Sequence, residues 1–414
     1  MIVQAGPRPP ETGAIAFPGA LTRHRPDVDP AVLALGFRIF FLGAGAFAVL
    51  TMIQWAGVYG LGWQVPLARV SMFQWHAHEM IYGYAMAVIA GFLLTAARNW
   101  TGMQTLAGRG LLGLFLLWGL ARALLVFGTA FLSWAALAQA LFMTVLWVAV
   151  AVPVFRSRQW RQTAILGKLL LLGACDLLFH LGASGLIEHG VRWGIYGGLY
   201  LLIALVLTMG RRVIPFFIER GVGYPVTLHN ARWIDVSSLL LFLAFFVVEV
   251  FLRLPETGAA LAALLFLVTT ARLVGWHTHG IWNRPLLWSL YLSLGFIDVG
   301  FLLHALTPVA GLSPFIAIHA FTVGGIGLVT LSMMARVSLG HTGRNINSPP
   351  QGVAAALGLL AGSALARISG PLFDAAHYPA WILASQTLWI AAFAVFLAVF
   401  TPVLTRPRPD GRQG

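Results

Sequence analysis

The sequence predicts an all-α polytopic membrane protein with about twelve transmembrane helices and both termini in the cytoplasm. Its 414 residues are 59% hydrophobic and only 9% charged, whereas soluble domains carry about 25% charged residues. Apolar stretches of about 20 residues, the length that crosses a bilayer as a helix, recur along the chain. No polar stretch is long enough for a separate soluble domain. We therefore expect residues 33–404 to form one transmembrane domain.

Twelve apolar stretches qualify as spans, and a very short loop joins the third to the fourth. They cover residues 33–56, 73–97, 110–129, 133–155, 164–187, 193–213, 233–253, 257–275, 285–307, 313–337, 351–370 and 379–404.

The distribution of basic residues sets the predicted orientation of these spans. Of the 26 Lys and Arg residues, 20 fall in the N-terminal segment, the even-numbered loops and the C-terminal tail. The odd-numbered loops hold only Arg69, Arg192 and Arg253, and three more arginines lie within spans. Because cytoplasmic loops are enriched in Lys and Arg, both termini are expected in the cytoplasm. The net charge of +13 is thus a topology signal, and we expect membrane lipid, not nucleic acid, as the partner.

The two ends of the chain are predicted to lie outside the membrane. Residues 1–32 are rich in Pro, Gly and charge and have no apolar core, so they predict a disordered cytoplasmic segment and not a cleaved signal peptide. Residues 405–414 are expected to form a disordered cytoplasmic tail. Cys175 is the single cysteine, which excludes a disulfide framework and a cysteine-based metal site.

The run Trp75-His76-Ala77-His78-Glu79-Met80 places two imidazoles and a carboxylate inside the second span. Ionisable groups are costly in the hydrocarbon and usually face a cavity, a partner or a metal. In the predicted topology this run lies near the outer end of its span. Three other spans present histidine at a similar depth, as His180, His304 and His319.

Histidines on four spans at one level favour a metal or haem site, because imidazole without thiolate suits haem iron, copper or zinc. His76 and His78 are about 200° apart around a helix, so both cannot face one metal centrally. Asp176 and His180 share a helix face. Their spacing suits a carboxylate that orients a ligand imidazole, and it equally suits a plain buried hydrogen-bonded pair. The alternative for each histidine is an interhelical hydrogen bond. No CxxCH motif occurs, which argues against covalent c-type haem.

A second group of histidines lies in loops predicted to be cytoplasmic. His277 and His279 are in the eighth loop and His341 is in the tenth. A His-x-His pair in an irregular loop can chelate a metal. Interfacial histidines beside a tryptophan belt explain the same pattern equally well.

The second and tenth spans also share a sequence pattern. It suggests that the two spans are analogous halves of one site that face each other across a cofactor. At the same internal offsets, the residues His78, Gly83, Thr101 and Gly102 match His319, Gly324, Thr342 and Gly343.

Several ordered motifs give the chain a resemblance to the NnrS family, and together they extend over nearly the whole membrane domain. They are His76-Ala77-His78-Glu79-Met80, Gly91-Phe92-Leu93-Leu94-Thr95-Ala96, Asn99-Trp100-Thr101-Gly102, Gly210-Arg211-Arg212-Val213-Ile214-Pro215-Phe216-Phe217, His319-Ala320-Phe321-Thr322-Val323-Gly324-Gly325, and Met334-Ala335-Arg336-Val337-Ser338-Leu339-Gly340-His341-Thr342-Gly343-Arg344.

The resemblance implies a bacterial inner-membrane protein that contains haem and copper and acts in the response to nitric oxide and in denitrification. It implies nitric oxide as the small-molecule partner, and an oxidoreductase of this kind would take electrons from quinol or a periplasmic donor. Carried over by motif, the cofactor ligands are His76, His78 and His319, and depth alone adds His180 and His304. Glu79 is the candidate for assisting proton transfer.

Two other classes of function remain open at this point. One is a secondary transporter of a metal, haem or a small solute, and the other is a haem-bound sensor without turnover. A transporter is expected to place its polar residues near the bilayer midplane. Here they cluster toward one face, which favours a cofactor site.

Overall fold

The computed structural model describes residues 30–64 and 67–411, and these residues form helices and no strand. Twelve helices are long and apolar enough to cross a membrane, which confirms the predicted fold class and number of spans. Most of the N-terminal segment predicted over residues 1–32, and the last three residues of the tail, lie outside the described residues. The helices are α1 Gly36–Leu61, α2 Met72–Thr101, α3 Gly108–Val126, α4 Thr129–Arg156, α5 Trp160–Ala183, α6 Gly190–Gly221, α7 Arg232–Leu252, α8 Pro255–Trp276, α9 Pro285–Ala310, α10 Pro314–His341, α11 Gln351–Phe373 and α12 Ala375–Thr405.

An even number of spans brings the start of α1 and the end of α12 to the same end of the bundle. We call the opposite end, predicted to face outward, the distal end. At the end near the termini, Arg38 donates from Nη1 to the carbonyl oxygens of Leu404, at 2.8 Å, and Arg406, at 2.9 Å. Arg408 donates from Nη1 to the carbonyl oxygen of His341 at 2.9 Å. The described part of the tail therefore contacts the bundle, and its disorder stays a prediction.

Helices α2 and α10 are the innermost of the bundle. In their most apolar stretches, 89% of α2 and 78% of α10 is buried, whereas the value for α3 is 33%. Helix α2 packs against α1, α4 and α6, while α10 packs against α9, α11 and α12. The two helices that carry the most polar motifs are thus the ones that the other helices shield from lipid, as the cost of exposing such groups requires.

Both inner helices change from α-helical to π-helical geometry directly after a histidine. In α2 the α-helical turns Met72–His78 lead into the π-helical segment Glu79–Ala85. In α10 the turns Pro314–His319 lead into the segment Ala320–Gly327. Long π-helical segments are rare and often mark functional sites. Their position identifies the region after each histidine as a candidate site.

The last four helices pack on one another in the same order as the first four. Helix α1 packs on α2 as α9 packs on α10, and α3 packs on α4 as α11 packs on α12. The two inner helices also end alike, because Gly102 and Gly343 adopt left-handed conformations with φ of 68° and 70°, which favour glycine. The sequence correspondence between the second and tenth spans is therefore also a correspondence of backbone structure.

Candidate functional site

His78 lies at the centre of a buried network of polar side chains from four helices. Its Nδ1 is 2.9 Å from Oε1 of Glu79, and its Nε2 is 3.0 Å from Oδ1 of Asp176 on α5. Arg122 of α3 donates from Nη1 to the same Oε1 of Glu79 at 2.7 Å. It also donates from Nη2 to Oε1 of Gln139 on α4 at 2.8 Å. We call these five residues the buried network.

Packing around the start of the π-helical segment fixes the His78 ring. The imidazole stacks on Phe179, with ring centroids 3.9 Å apart. One turn further along, Tyr82 donates its hydroxyl proton to the carbonyl oxygen of Gly194 at 2.6 Å. A Cβ atom on Gly198 would collide with that hydroxyl, so α6 approaches α2 closely only because this residue is glycine. Helices α5 and α6 thereby hold α2 against the partners of His78.

The buried network contains more negative than positive groups. Two carboxylates, from Glu79 and Asp176, face the single guanidinium of Arg122, and all three side chains are at most 5% exposed. A buried charge is tolerated when it is paired. A proton on His78 or a cation bound beside it would balance the second carboxylate.

His180 completes a group that has the composition of a metal site. It is 2% exposed, and neither of its ring nitrogens has a hydrogen-bond partner. One ligand atom each from His78, Asp176 and His180 all lie within 4.8 Å of one another. Over residues 30–64 and 67–411, these three are the one such group of His, Cys, Asp and Glu side chains. Leaving a buried polar atom unpaired costs about 1–3 kcal/mol, which a bound metal ion would recover.

Asp176 and His180 are not hydrogen-bonded to each other in the structure. The shortest distance between them, from Nε2 of His180 to Oδ2 of Asp176, is 3.9 Å, too long for a hydrogen bond. The plain hydrogen-bonded pair that the spacing also allowed is therefore not formed. Asp176 instead bonds to His78, on another helix.

A second cluster, formed by His76, His319 and Arg367, lies nearer the distal end of the bundle. His76 stacks on Trp55 of α1, with ring centroids 4.3 Å apart, and its Nδ1 is buried without a hydrogen-bond partner. Nδ1 of His319 donates to the carbonyl oxygen of Phe315 at 2.6 Å, which leaves Nε2 as the ligand atom. Phe73 and Phe315, about one turn before these two histidines, stack with ring centroids 6.2 Å apart, so α2 and α10 meet here, and α11, which carries Arg367, packs against α10. We call these three residues the distal cluster.

Arg367 has no acidic partner among the described residues. Its Nη1 is buried without a hydrogen-bond partner, and its Nη2 lies 3.5 Å from the hydroxyl of Tyr378. Asp374, in the turn after α11, is engaged elsewhere. His377 and Trp381 donate to its carboxylate at 2.9 Å and 3.1 Å, and the hydrogen bond from His377 is the main cause that lowers the pKa of Asp374.

His304, also predicted at this level, belongs to neither group. Its Nε2 lies 3.2 Å from Oε1 of Glu249 on α7, and its ring meets the ring of Phe245 edge-on. It therefore already has a hydrogen-bond partner on another helix.

The three histidines that were predicted to lie in cytoplasmic loops are apart from both groups. The rings of His277 and His279 are 5.6 Å apart between centroids, and Nε2 of His277 accepts a hydrogen bond from Trp282. His341 ends α10, where its Nε2 is 3.5 Å from the side-chain nitrogen of Asn99. Chelation of a metal by these three residues stays a prediction.

The candidate ligand histidines of the second, fifth and tenth spans are thus divided between two groups. His78 and His180 meet in or beside the buried network together with Glu79, while His76 and His319 meet in the distal cluster. Spacing anticipated that His76 and His78 face different ways. It missed Arg122 and Arg367, although an arginine inside an apolar span is by itself a signal of a functional site.

Comparison with protein families gives a match over most of the chain. The family model described as NnrS protein matches residues 31–408, nearly the whole chain. No curated protein matches the chain.

Proposed function

The chain belongs to the NnrS family, and on that premise we propose that it is a haem- and copper-containing protein of the bacterial inner membrane that binds or removes nitric oxide. In this proposal the distal cluster holds haem, and the group of His78, Asp176 and His180 holds copper.

The observation that carries the proposal is that each of the two innermost helices has an imidazole with a ring nitrogen available to a ligand. Nε2 of His319 is free because Nδ1 is bonded to a backbone carbonyl, and Nδ1 of His76 is buried without a partner. Imidazole nitrogens of this kind are the usual axial ligands of haem iron. Arg367, which has an unpaired Nη1 and no acidic partner among the described residues, supplies positive charge for the carboxylates of the macrocycle.

His180 supports a copper ion as the second cofactor. Both its nitrogens are unpaired, and a cation that took the place of the proton between Nε2 of His78 and Oδ1 of Asp176 would gain a nitrogen and an oxygen ligand from these two residues. Two imidazoles with a carboxylate and no thiolate suit Cu(II). The excess of carboxylates in the buried network also favours a cation at this place.

Haem iron, when bound, supplies the affinity for nitric oxide, and the remaining chemistry falls to the side chains around it. Reduction of two molecules of nitric oxide to nitrous oxide and water consumes two electrons and two protons. Quinol or a periplasmic protein would donate the electrons. Glu79 and His78, joined by a hydrogen bond of 2.9 Å, are placed to hold and pass protons within a region that lipid and water do not reach.

The position of the site within the membrane suits its substrate. Nitric oxide is small, neutral and lipid-soluble, so it reaches a site between transmembrane helices from the bilayer. The candidate ligands lie on helices α2, α5 and α10, all of which are apolar enough to span the membrane. Membrane lipid is thus both the surroundings of the site and the route to it.

Optical spectra of detergent-purified protein, oxidised and dithionite-reduced, test the proposal when haem and copper are quantified on the same sample. We expect a Soret band that shifts on addition of nitric oxide. A colourless preparation after expression with adequate haem would contradict the haem site. It would favour the secondary transporter, a class in which repeated groups of helices like α1–α4 and α9–α12 are also common.

Replacing His180 with alanine tests the copper assignment separately. We expect copper to fall from about one atom per chain to near zero, because one of two imidazole ligands is lost. Haem should be retained, because the distal cluster is unchanged. Metal analysis of the purified variant, beside His189→Ala as a control at an exposed distal position, gives the result. Equal copper in all three proteins would remove the metal from this group.

A further inference from the structure

The repeat of four helices makes the distal cluster a second version of the buried network. In the first version, His78 ends the α-helical turns of α2, Arg122 lies near the distal end of α3, and Gln139 lies about three turns into α4. In the second version, the residues at the matching places of α10, α11 and α12 are His319, Arg367 and Gln386.

One residue distinguishes the two versions. The first residue of the π-helical segment is Glu79 in α2 and Ala320 in α10. In the first version the Glu79 carboxylate bonds both to the imidazole and to the arginine. In the second version Ala320 has only a methyl group, and no side chain within residues 30–64 and 67–411 replaces the carboxylate.

The donor that would bind that carboxylate is left without a partner. Nη1 of Arg367, the atom that in Arg122 binds the carboxylate, is buried and unpaired. Nε2 of Gln386 is unpaired too, but so is Nε2 of Gln139 in the first version, so the glutamine does not distinguish the two versions. The Arg367 side chain is half-buried, and its Nη2 has only the hydroxyl of Tyr378 at 3.5 Å, so an acceptor for Nη1 would have to come from outside the described chain.

We propose that Arg367 binds a planar anion with two terminal oxygens, which takes the part that the Glu79 carboxylate plays in the first half. Two sources supply this chemistry. One is a propionate of the haem, which rests on the proposed function. The other is a free anion of the size of nitrite or formate, which does not.

The free-anion source is tested on protein made without haem. Nitrite or formate is titrated at constant ionic strength, with sulfate as the balancing salt, and the midpoint of thermal unfolding is measured. We expect a saturable rise of a few degrees in the unchanged protein and in the control Arg253→Gln, an exposed arginine of the distal loops. Arg367→Gln should show no rise.

The propionate source is tested on haem-loaded protein by the rate of haem transfer to an apo-globin acceptor. If a propionate is the ligand, Arg367→Gln should weaken haem retention about ten- to hundredfold while the Soret maximum, set by the axial ligands, stays in place. Free anions should then have no effect on the loaded protein. No response of haem-free protein to anions, together with unchanged haem retention in Arg367→Gln, would overturn the proposal.

A graft of the missing carboxylate gives an independent check. In Ala320→Glu the new side chain should pair with Arg367 and abolish the response of haem-free protein to nitrite and formate. Should this variant fail to fold, Arg367→Lys serves instead, because it keeps the positive charge but loses the fork of paired donors, and it should weaken the anion response about tenfold. An anion response that is unchanged in Arg367→Lys would overturn recognition of the anion by this guanidinium.

Discussion

Replacing His319 with alanine is expected to remove at least about nine-tenths of the haem from the purified protein. His319 is the imidazole whose tautomer is fixed by its own backbone, through the bond of 2.6 Å from Nδ1 to the carbonyl oxygen of Phe315. Its Nε2 is therefore pre-organised as a ligand. The measurement is the Soret absorbance per unit of protein, checked by extraction of the haem.

His76→Ala is expected to behave differently, which separates the two ligands. Without the His76 imidazole, part of the haem should stay bound through His319, and its absorption spectrum should differ from that of the unchanged protein. His189→Ala, an exposed histidine of the distal loops, should match the unchanged protein. Unchanged spectra in both His76→Ala and His319→Ala, in protein that elutes as a single species, would remove haem from the distal cluster.

Replacing Glu79 with alanine is expected to cost about 3–5 kcal/mol of stability, because it leaves the buried Arg122 without its carboxylate. It also takes from Nδ1 of His78 its partner at 2.9 Å. Glu79→Gln should cost less, since the amide oxygen can still accept from Arg122. Thermal unfolding in detergent, monitored by intrinsic fluorescence, measures both losses.

Chemical rescue tests whether the charge of Glu79 or its volume is what stabilises the protein. The space left in Glu79→Ala is lined by Arg122 and His78, so added formate should restore part of the lost stability there and have little effect on Glu79→Gln. Glu188→Ala, which changes an exposed acid of the distal loops, is expected to be neutral. A neutral result for Glu79→Ala as well would mean that the buried network is not held by this ion pair.

Composition and charge asymmetry were sufficient to predict the fold class, because the bilayer allows few solutions for a chain with this pattern. All twelve predicted spans correspond to helices, and the differences lie at their ends. Helix α2, predicted to end at residue 97, continues to Thr101, and α6 continues past Pro215 to Gly221. Hydropathy records where apolar residues stop, whereas a helix stops where its backbone leaves helical geometry, as at Gly102.

The site was predicted only in part, because spacing along one helix says nothing of the partner on the next. That His76 and His78 face apart followed from helix geometry. That His78 bonds to Asp176, 98 residues away, depends on how α2 packs against α5. The π-helical segments had no signal in the sequence. The shared offsets of the second and tenth spans did predict that the two helices resemble each other, and in the structure Glu79 and Ala320 occupy the matching position.

The repeated helices also bear on the ancestry of the chain. A unit of four spans begins and ends on the same side of the membrane, so a duplicated copy inserts in the same orientation without any change in its flanking charges. Duplication of such a unit produces two sites that are at first equivalent. Once joined in one polypeptide such copies can diverge independently, and here the first residue of the π-helical segment is an acid in one unit, Glu79, and has only a methyl group in the other, Ala320. Duplication followed by loss of the acid from one copy would account for this asymmetry, and it predicts related chains that carry an acid at both positions.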